Sequence, residues 1–325
     1  MKWIIIFYPF FLFPVSLVLI HLGAELPSYL TPCIEQARLF NPDIPIYLVA
    51  GERALAHTPK TLPVIRVTVE SLSKSSSHQI FLRRNRLDKN FLKGFWFYTT
   101  ERFFYLYEVM KKFELKDVFH IENDVLIYLD LKTALPIFQK NYSNMIAATF
   151  DNDERCIAGF LYISNLEPIK TFTSFIANQI HLGGNDMKLL SQFKNAYFQT
   201  AIDHLPILMP EYAQDRMLES LSHHRTDTPE RFFNHFEDFQ SIFDAAALGQ
   251  YLGGVDPFHK SKSTIGFINE SALFNASDFQ FEWIRDDRGR AIPYALYKDQ
   301  KYKINNLHIH SKNLKAFLSE RQGLP

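Results

Sequence analysis

The stretch VFHIENDVLIY, residues 118–128, is a hydrophobic strand sequence interrupted at its centre by Glu122, Asn123 and Asp124. Burying an ionised carboxylate without a partner is costly, so the two acids must lie where the strand leaves the core or be matched by cations. A strand ending at Ile121 meets the first condition. In an open α/β sheet, ligands bind beyond the carboxyl ends of the strands; Glu122-Asn123-Asp124 would form a turn at that edge, with Val125 to Tyr128 as a second extended piece. Residues i and i+2 of extended chain point the same way. The carboxylates of Glu122 and Asp124 can therefore share one hard divalent cation, Mg²⁺ or Mn²⁺. The competing reading is a pair of turn carboxylates that cap loop amides.

Upstream, strand and helix signals alternate. SLVLIHLG (16–23), IPIYLVA (44–50) and LPVIRVTVE (62–70) are apolar, β-rich runs, and a helical stretch from about Ser28 to Phe40 separates the first two and stops at Asn-Pro-Asp. Short apolar runs joined in this way predict βαβ units and a parallel sheet. Residues 91–113, FLKGFWFYTTERFFYLYEVMKKF, carry a long apolar face ending in lysines and predict a buried helix. Residues 71–90 are serine-rich and then basic, the pattern of a surface loop. Arg83 and Arg84, with Arg86, stand where such a loop could bring them to an anionic ligand.

Downstream the pattern becomes α+β. MIAATF (145–150) and CIAGFLYIS (156–164) read as strands, and NDMKLLSQFKNAY (185–197) as a helix capped by Asn185 or Asp186. LPILMPEY (205–212) reads as a strand or extended piece, and residues 213–240 as an irregular insertion. The expected fold class is α/β, a Rossmann-like, mostly parallel central sheet flanked by helices, followed by a helical or irregular C-terminal region.

Lys plus Arg and Asp plus Glu balance at 35 each, so no overall basic field draws nucleic acid. Charged ligands must be met locally. The glycine-rich phosphate motifs of P-loop and dinucleotide-binding proteins are absent. Cys33 and Cys156 allow at most one disulfide and fit no zinc spacing, as in a chain from a reducing compartment. After Lys2 come 18 uncharged residues, about the length of a membrane span. Pro9 and Pro14 interrupt that run, and Leu22-Gly23-Ala24 is a poor cleavage site whose use would remove SLVLIHLG. The reading kept is an uncleaved, cytoplasmic chain whose apolar residues 1–15 associate with a membrane, peripherally or as an anchor, ahead of one domain over 16–325.

A second cluster lies in NNLHIHSKNLKAF (305–317). His308 and His310 alternate along an extended stretch and so face one side, which Lys312 continues. Imidazole is a common ligand for divalent metals and an ammonium is a compact charge for phosphate. Joined to Glu122 and Asp124, they complete a metal–diphosphate site.

The order LVLIHLGAELPSYLTPCIEQARLFNPDIPIYLV (17–49), VFHIENDVLIY, CIAGFLYISN (156–165) and LHIHSK (307–312) resembles the GT-A type of nucleotide-sugar-dependent glycosyltransferases, over roughly residues 16–200 and the C-terminal tail. The resemblance implies a divalent cation, Mn²⁺ or Mg²⁺, and a UDP- or GDP-linked sugar donor. Asp124 would be the main metal ligand, Glu122 would contact the metal or the donor ribose, His308 or His310 would complete the shell, and Lys312 would contact the diphosphate. Glu122 stands where the family's Asp-x-Asp motif has its first Asp. Residues 16–130 become the nucleotide-sugar half and 131–325 the acceptor side with the metal-binding tail.

Asp186, in GGNDMKLL, resembles the family's acid at the start of a helix beside the acceptor, with ordinary capping as the alternative. Asp244 heads DAAALGQYLGG, where small residues permit either close approach to a ligand or tight helix packing; Ala158 and Gly159 raise the same question. Either acid could act as general base if the transfer inverts the sugar; a retaining transfer needs none. The expectation is a metal-dependent, hexosyltransferase-like enzyme acting on a glycan, lipid-linked or protein acceptor. Two alternatives stand beside it: a carboxylate-based glycoside hydrolase, and a secreted or membrane-tethered interaction protein whose acids merely cap loops.

Overall fold

The structure is a computed structural model describing residues 15–216, 226–256 and 264–320. The apolar run of residues 1–14 lies outside them, and among the described residues no helix is long and apolar enough to cross a membrane.

The chain begins with β1 (Ser16–His21), α1 (Leu30–Phe40), β2 (Ile46–Ala50), a short α2 (Glu52–Ala56) and β3 (Ile65–Thr68). β2 is buried throughout and β1 all but its last residue, as continuous apolar strands must be when helices cover both faces of a parallel sheet. Next come α3 (Ser76–Arg84), α4 (Phe95–Lys112), β4 (Val118–Ile121), β5 (Val125–Ile127) and α5 (Leu131–Asn141). β6 (Ile146–Asn152), β7 (Arg155–Ile163), α6 (Leu166–Gln179), α7 (Asp186–Tyr197) and β8 (Ile202–His204) complete the central layer.

The seven-stranded sheet has the order β3-β2-β1-β4-β7-β6-β8. β3, β2, β1 and β4 run parallel, β6 and β8 run parallel, and only β7 opposes its neighbours. This is the mostly parallel α/β sheet expected. β2 and β3 lie to one side of β1 and β4 to the other, so the chain's winding reverses between β1 and β4. A crevice opens beyond the strand ends at such a reversal, and the acidic turn after Ile121 sits at that edge.

The remaining elements are α8 (Pro210–Arg216), α9 (Phe236–Phe239), β9 (Ser241–Ile242), α10 (Ala247–Gly253), β10 (Gln280–Arg285), β11 (Ala291–Tyr297), β12 (Gln300–Ile304) and β13 (Asn306–His308). Three expectations need correction. Residues 71–90 are not all loop: α3 starts where Ser75 accepts a hydrogen bond from the His78 amide at 3.2 Å, and it buries His78 and Phe81. Residues 205–212 are not a strand, because Pro206 offers no amide to a ladder and Pro210 opens α8. The C-terminal region is not merely helical or irregular: β10, β11 and β12 form an antiparallel meander joined by β9. Left-handed Lys298 and Asp299 (φ 47° and 63°) close its tight β11–β12 turn.

Candidate metal and diphosphate site

β4 ends at Ile121 and the chain turns through Glu122, Asn123 and Asp124 before entering β5, as the sequence predicts. β5 takes no place in the central sheet. It pairs antiparallel with β13, with His308 opposite Val125, Leu307 opposite Leu126 and Asn306 opposite Ile127. Two flanking bonds lengthen this ribbon: Tyr128 N donates to Asn305 O at 2.8 Å and Ile309 N to Asp124 O at 2.9 Å. The ribbon carries His308 to the acids. α1 holds it through buried polar side chains, Cys33 donating to Val125 O at 3.2 Å, Gln36 to Ile127 O at 3.2 Å and Asn41 to Leu129 O at 3.0 Å. Cys33 and Cys156 are both free and buried.

Glu122, Asp124 and His308 each present a ligand atom, all within 4.8 Å of one another. His308 Nε2 lies 3.2 Å from Asp124 Oδ2 and 3.3 Å from Glu122 Oε2. Lys312 Nζ bonds Asp124, and Arg102 Nη1 bonds Glu122. Among the described residues the partners of both acids are thus cationic side chains and not the loop amides that capping would use. Burial alone would raise both carboxyl pKa values; Lys312 and His308 pull Asp124 well below its usual range, and Arg102 and His308 lower Glu122. Burial lowers the His308 pKa, but Asp124 and Glu122 outweigh it and raise it. Two carboxylates and one imidazole form a donor set suited to Mn²⁺ or Mg²⁺. These three residues could hold such an ion.

Two glycines make room for His308. A Cβ on Gly159 would lie 2.8 Å from the His308 Nδ1, and one on Gly249 only 2.1 Å from the His308 carbonyl oxygen. Asp244 completes the seat: its carboxylate accepts from the amides of Leu248, Gly249 and His308, each at 2.9 Å. Burial pushes its pKa up to about 6. Both oxygens of Asp244, expected as a candidate base, are engaged by backbone amides, one of them that of His308. Gly159 and Gly249 are thus close against that histidine, while Ala158 is buried within β7.

Asp186 opens α7, but the cap is Asn185, whose side chain accepts from Lys188 N at 3.1 Å. Asp186 is buried and receives hydrogen bonds from Arg102 Nη2 at 3.0 Å and Thr99 Oγ1 at 3.2 Å. Burial raises its pKa against the pull of Arg102. Arg102 therefore bridges Glu122 and Asp186, which the sequence leaves unconnected.

The structure does not extend the cluster to His310. β13 stops at His308, so the expected alternation ends, and His310 Nδ1 accepts from Asp256 N at 3.0 Å. Lys312 returns through a turn in which its own φ is 67° and its amide donates to Ile309 O at 2.9 Å. Arg83 and Arg84 are exposed in the last turn of α3 and touch none of these residues.

No protein-family model matches the chain, and no curated protein matches it. Among solved structures it is similar to mouse xyloside xylosyltransferase 1 in its apo form, at 12% identity and a TM-score of 0.41, over 68% of this chain and 93% of that one. It is also similar to the galactosyltransferase LgtC in complex with donor and acceptor sugar analogs, at 14% identity and a TM-score of 0.43, over 67% and 83% of the two chains. A third is the glycosyltransferase GlyE of Streptococcus pneumoniae, apo form, at 12% identity and a TM-score of 0.36, over 61% and 45%. Likeness this distant leaves the chemistry to be argued from the side chains of this chain.

Of the site, sequence reading missed Arg102, Gly249 and the α1 clamp. Arg102 carried a signal: a lone Arg after Glu101 within the apolar run of α4 must find a buried partner. Nothing in the sequence points from Gln36 to β5.

Proposed function

We propose that this chain is a metal-dependent glycosyltransferase that moves a sugar from a UDP- or GDP-linked donor to a glycan, lipid-linked or protein acceptor. The observation that carries the reading is the convergence of Glu122, Asp124 and His308 within 4.8 Å, beside Lys312, at the edge where β1 and β4 part. A divalent cation held there would supply positive charge for a leaving diphosphate. Lys312 holds an ammonium at the same carboxylate, placed to turn toward phosphate oxygens and stabilise charge as it develops. Arg102 keeps Glu122 ionised and fixed, and ties it to Asp186. With Asp244 occupied by backbone amides, Asp186 is the remaining candidate acid for the acceptor side.

The hydrolase alternative needs one carboxyl protonated as general acid. It also needs its two carboxyls to flank the scissile bond, whereas Glu122 and Asp124 converge on the same His308 imidazole. The test is nucleoside diphosphate release from a panel of UDP- and GDP-sugars with and without Mn²⁺. Metal-dependent release that Asp124→Asn abolishes is expected; absence of turnover with every donor, or turnover indifferent to metal and to Asp124, overturns the reading.

A further inference from the structure

Arg83 and Arg84 remain unexplained by the metal site, and they belong to a larger feature. Residues 83–98, RRNRLDKNFLKGFWFY, hold five basic side chains, Arg83, Arg84, Arg86, Lys89 and Lys93, against one acid, Asp88, in a chain whose charges cancel as a whole. All five are exposed, and none forms a salt bridge among the described residues. Beside them stand apolar side chains that folding leaves in water: Phe91 is 49% exposed, Leu92 39% and Tyr98 39%. Leu182, 73% exposed, lies in the short turn after α6 that packs against α3.

The backbone holds this surface in a defined shape. Leu92, Lys93 and Gly94 are three successive left-handed residues (φ 46°, 56° and 82°). For Leu and Lys that conformation is disfavoured, so the Leu92–Lys93 tip is an imposed feature. Tyr98 folds back over the tip's end, its ring 2.9 Å from where a Gly94 Cβ would be. Lys89 Nζ lies 4.3 Å from the centroid of the Phe97 ring. α4 then runs from this tip directly to Thr99 and Arg102 at the site.

We infer that residues 83–98 form a peripheral docking surface for an anionic phospholipid bilayer. Clustered Lys and Arg are drawn to the negative headgroup layer, each worth about a five-fold gain near the surface. Amphipathic aromatic and aliphatic side chains insert at the headgroup level. A partner of uncharged or cationic surface would leave five cations without counter-charge, which is why lipid of negative charge fits this patch. The surface includes neither residues 1–14 nor Glu122, Asp124, His308 and Lys312, and the inference holds whether or not the site transfers sugar.

The test is co-sedimentation of the full chain with vesicles of phosphatidylcholine alone or of phosphatidylcholine with phosphatidylglycerol, with no nucleotide sugar present. Binding is expected on the anionic vesicles only, weakening as salt rises. The triple variant Arg83→Gln, Arg84→Gln, Arg86→Gln should bind at least ~10-fold more weakly, and Phe91→Ser with Leu92→Ser should also release the protein, whereas Lys170→Gln on α6 should not. These side chains are exposed, and unchanged thermal unfolding will confirm that both variants fold. Equal binding to neutral vesicles, or full binding by both variants, overturns the inference and moves any attachment elsewhere in the chain. So does loss in the variants of self-association rather than of lipid binding, which would make a second copy the occupant.

Discussion

His308 Nε2 lies 3.2 Å from Asp124 Oδ2 although the two residues are 184 positions apart in the chain. The β5–β13 ribbon makes that contact, and Gly159 and Gly249 are two places where an added side chain would press on His308. Gly249→Ala forces a methyl group into the His308 carbonyl, a rigid backbone atom, and should cost about 3 kcal/mol or more in urea unfolding. Gly159→Ala meets the His308 ring and, at 3.3 Å, a Val125 methyl group, both side-chain atoms that can shift. It should cost about 1 kcal/mol yet weaken Mn²⁺ binding, measured by calorimetric titration. Equal stability losses for the two variants would contradict this division.

Arg102 is the only side chain among the described residues that bonds both Glu122 and Asp186. Arg102→Met leaves the buried Asp186 and the half-buried Glu122 without their shared cation, and should destabilise the fold by about 3 kcal/mol. Arg102→Lys restores charge but not the fork that reaches two acids at once, so it should recover only part of that loss. Full recovery in chemical denaturation would show that charge alone matters there.

A pH dependence arises at a second buried cluster. His78 is buried between Glu101, 3.1 Å from its Nε2, and Glu108, 3.0 Å from its Nδ1. Burial lowers its pKa, but the hydrogen bonds to Glu101 and Glu108 outweigh burial and raise it. A raised folded-state pKa means that the folded protein holds the proton more tightly than the unfolded chain. The resulting stabilisation is complete below the unfolded value of about 6.5 and is lost as pH rises through the higher folded value. The stability gap between the wild type and His78→Gln should therefore narrow from pH 6 to pH 9. A gap that widens over that range would reverse the sign.

The sheet was legible in sequence because its strands are short apolar runs bounded by helices and turns, and the acidic turn because carboxylates cannot sit inside VFHI and VLIY. His308 was legible as a companion of Glu122 and Asp124 but not separable from His310. That choice depends on where β13 ends, which the turn at Lys312 decides and strand alternation does not. Asp244 looked catalytic for the reason that makes it structural: an acid beside small residues marks a crowded backbone, and here the crowding is against His308. The C-terminal meander was missed because its strands mix charge and apolar residues, QFEWIR and QKYKI, with burial that alternates weakly.

We propose that Glu122, Asp124 and His308 hold a divalent cation that a nucleoside diphosphate then joins. Titration of Mn²⁺ into the full chain, followed by electron paramagnetic resonance with and without UDP or GDP, measures this directly. The account predicts a single equivalent of bound Mn²⁺, tighter with one of the nucleotides, and at least ~10-fold weaker in Asp124→Asn and in His308→Ala. Wild-type affinity in both variants, or no stoichiometric Mn²⁺ binding with either nucleotide, would contradict it.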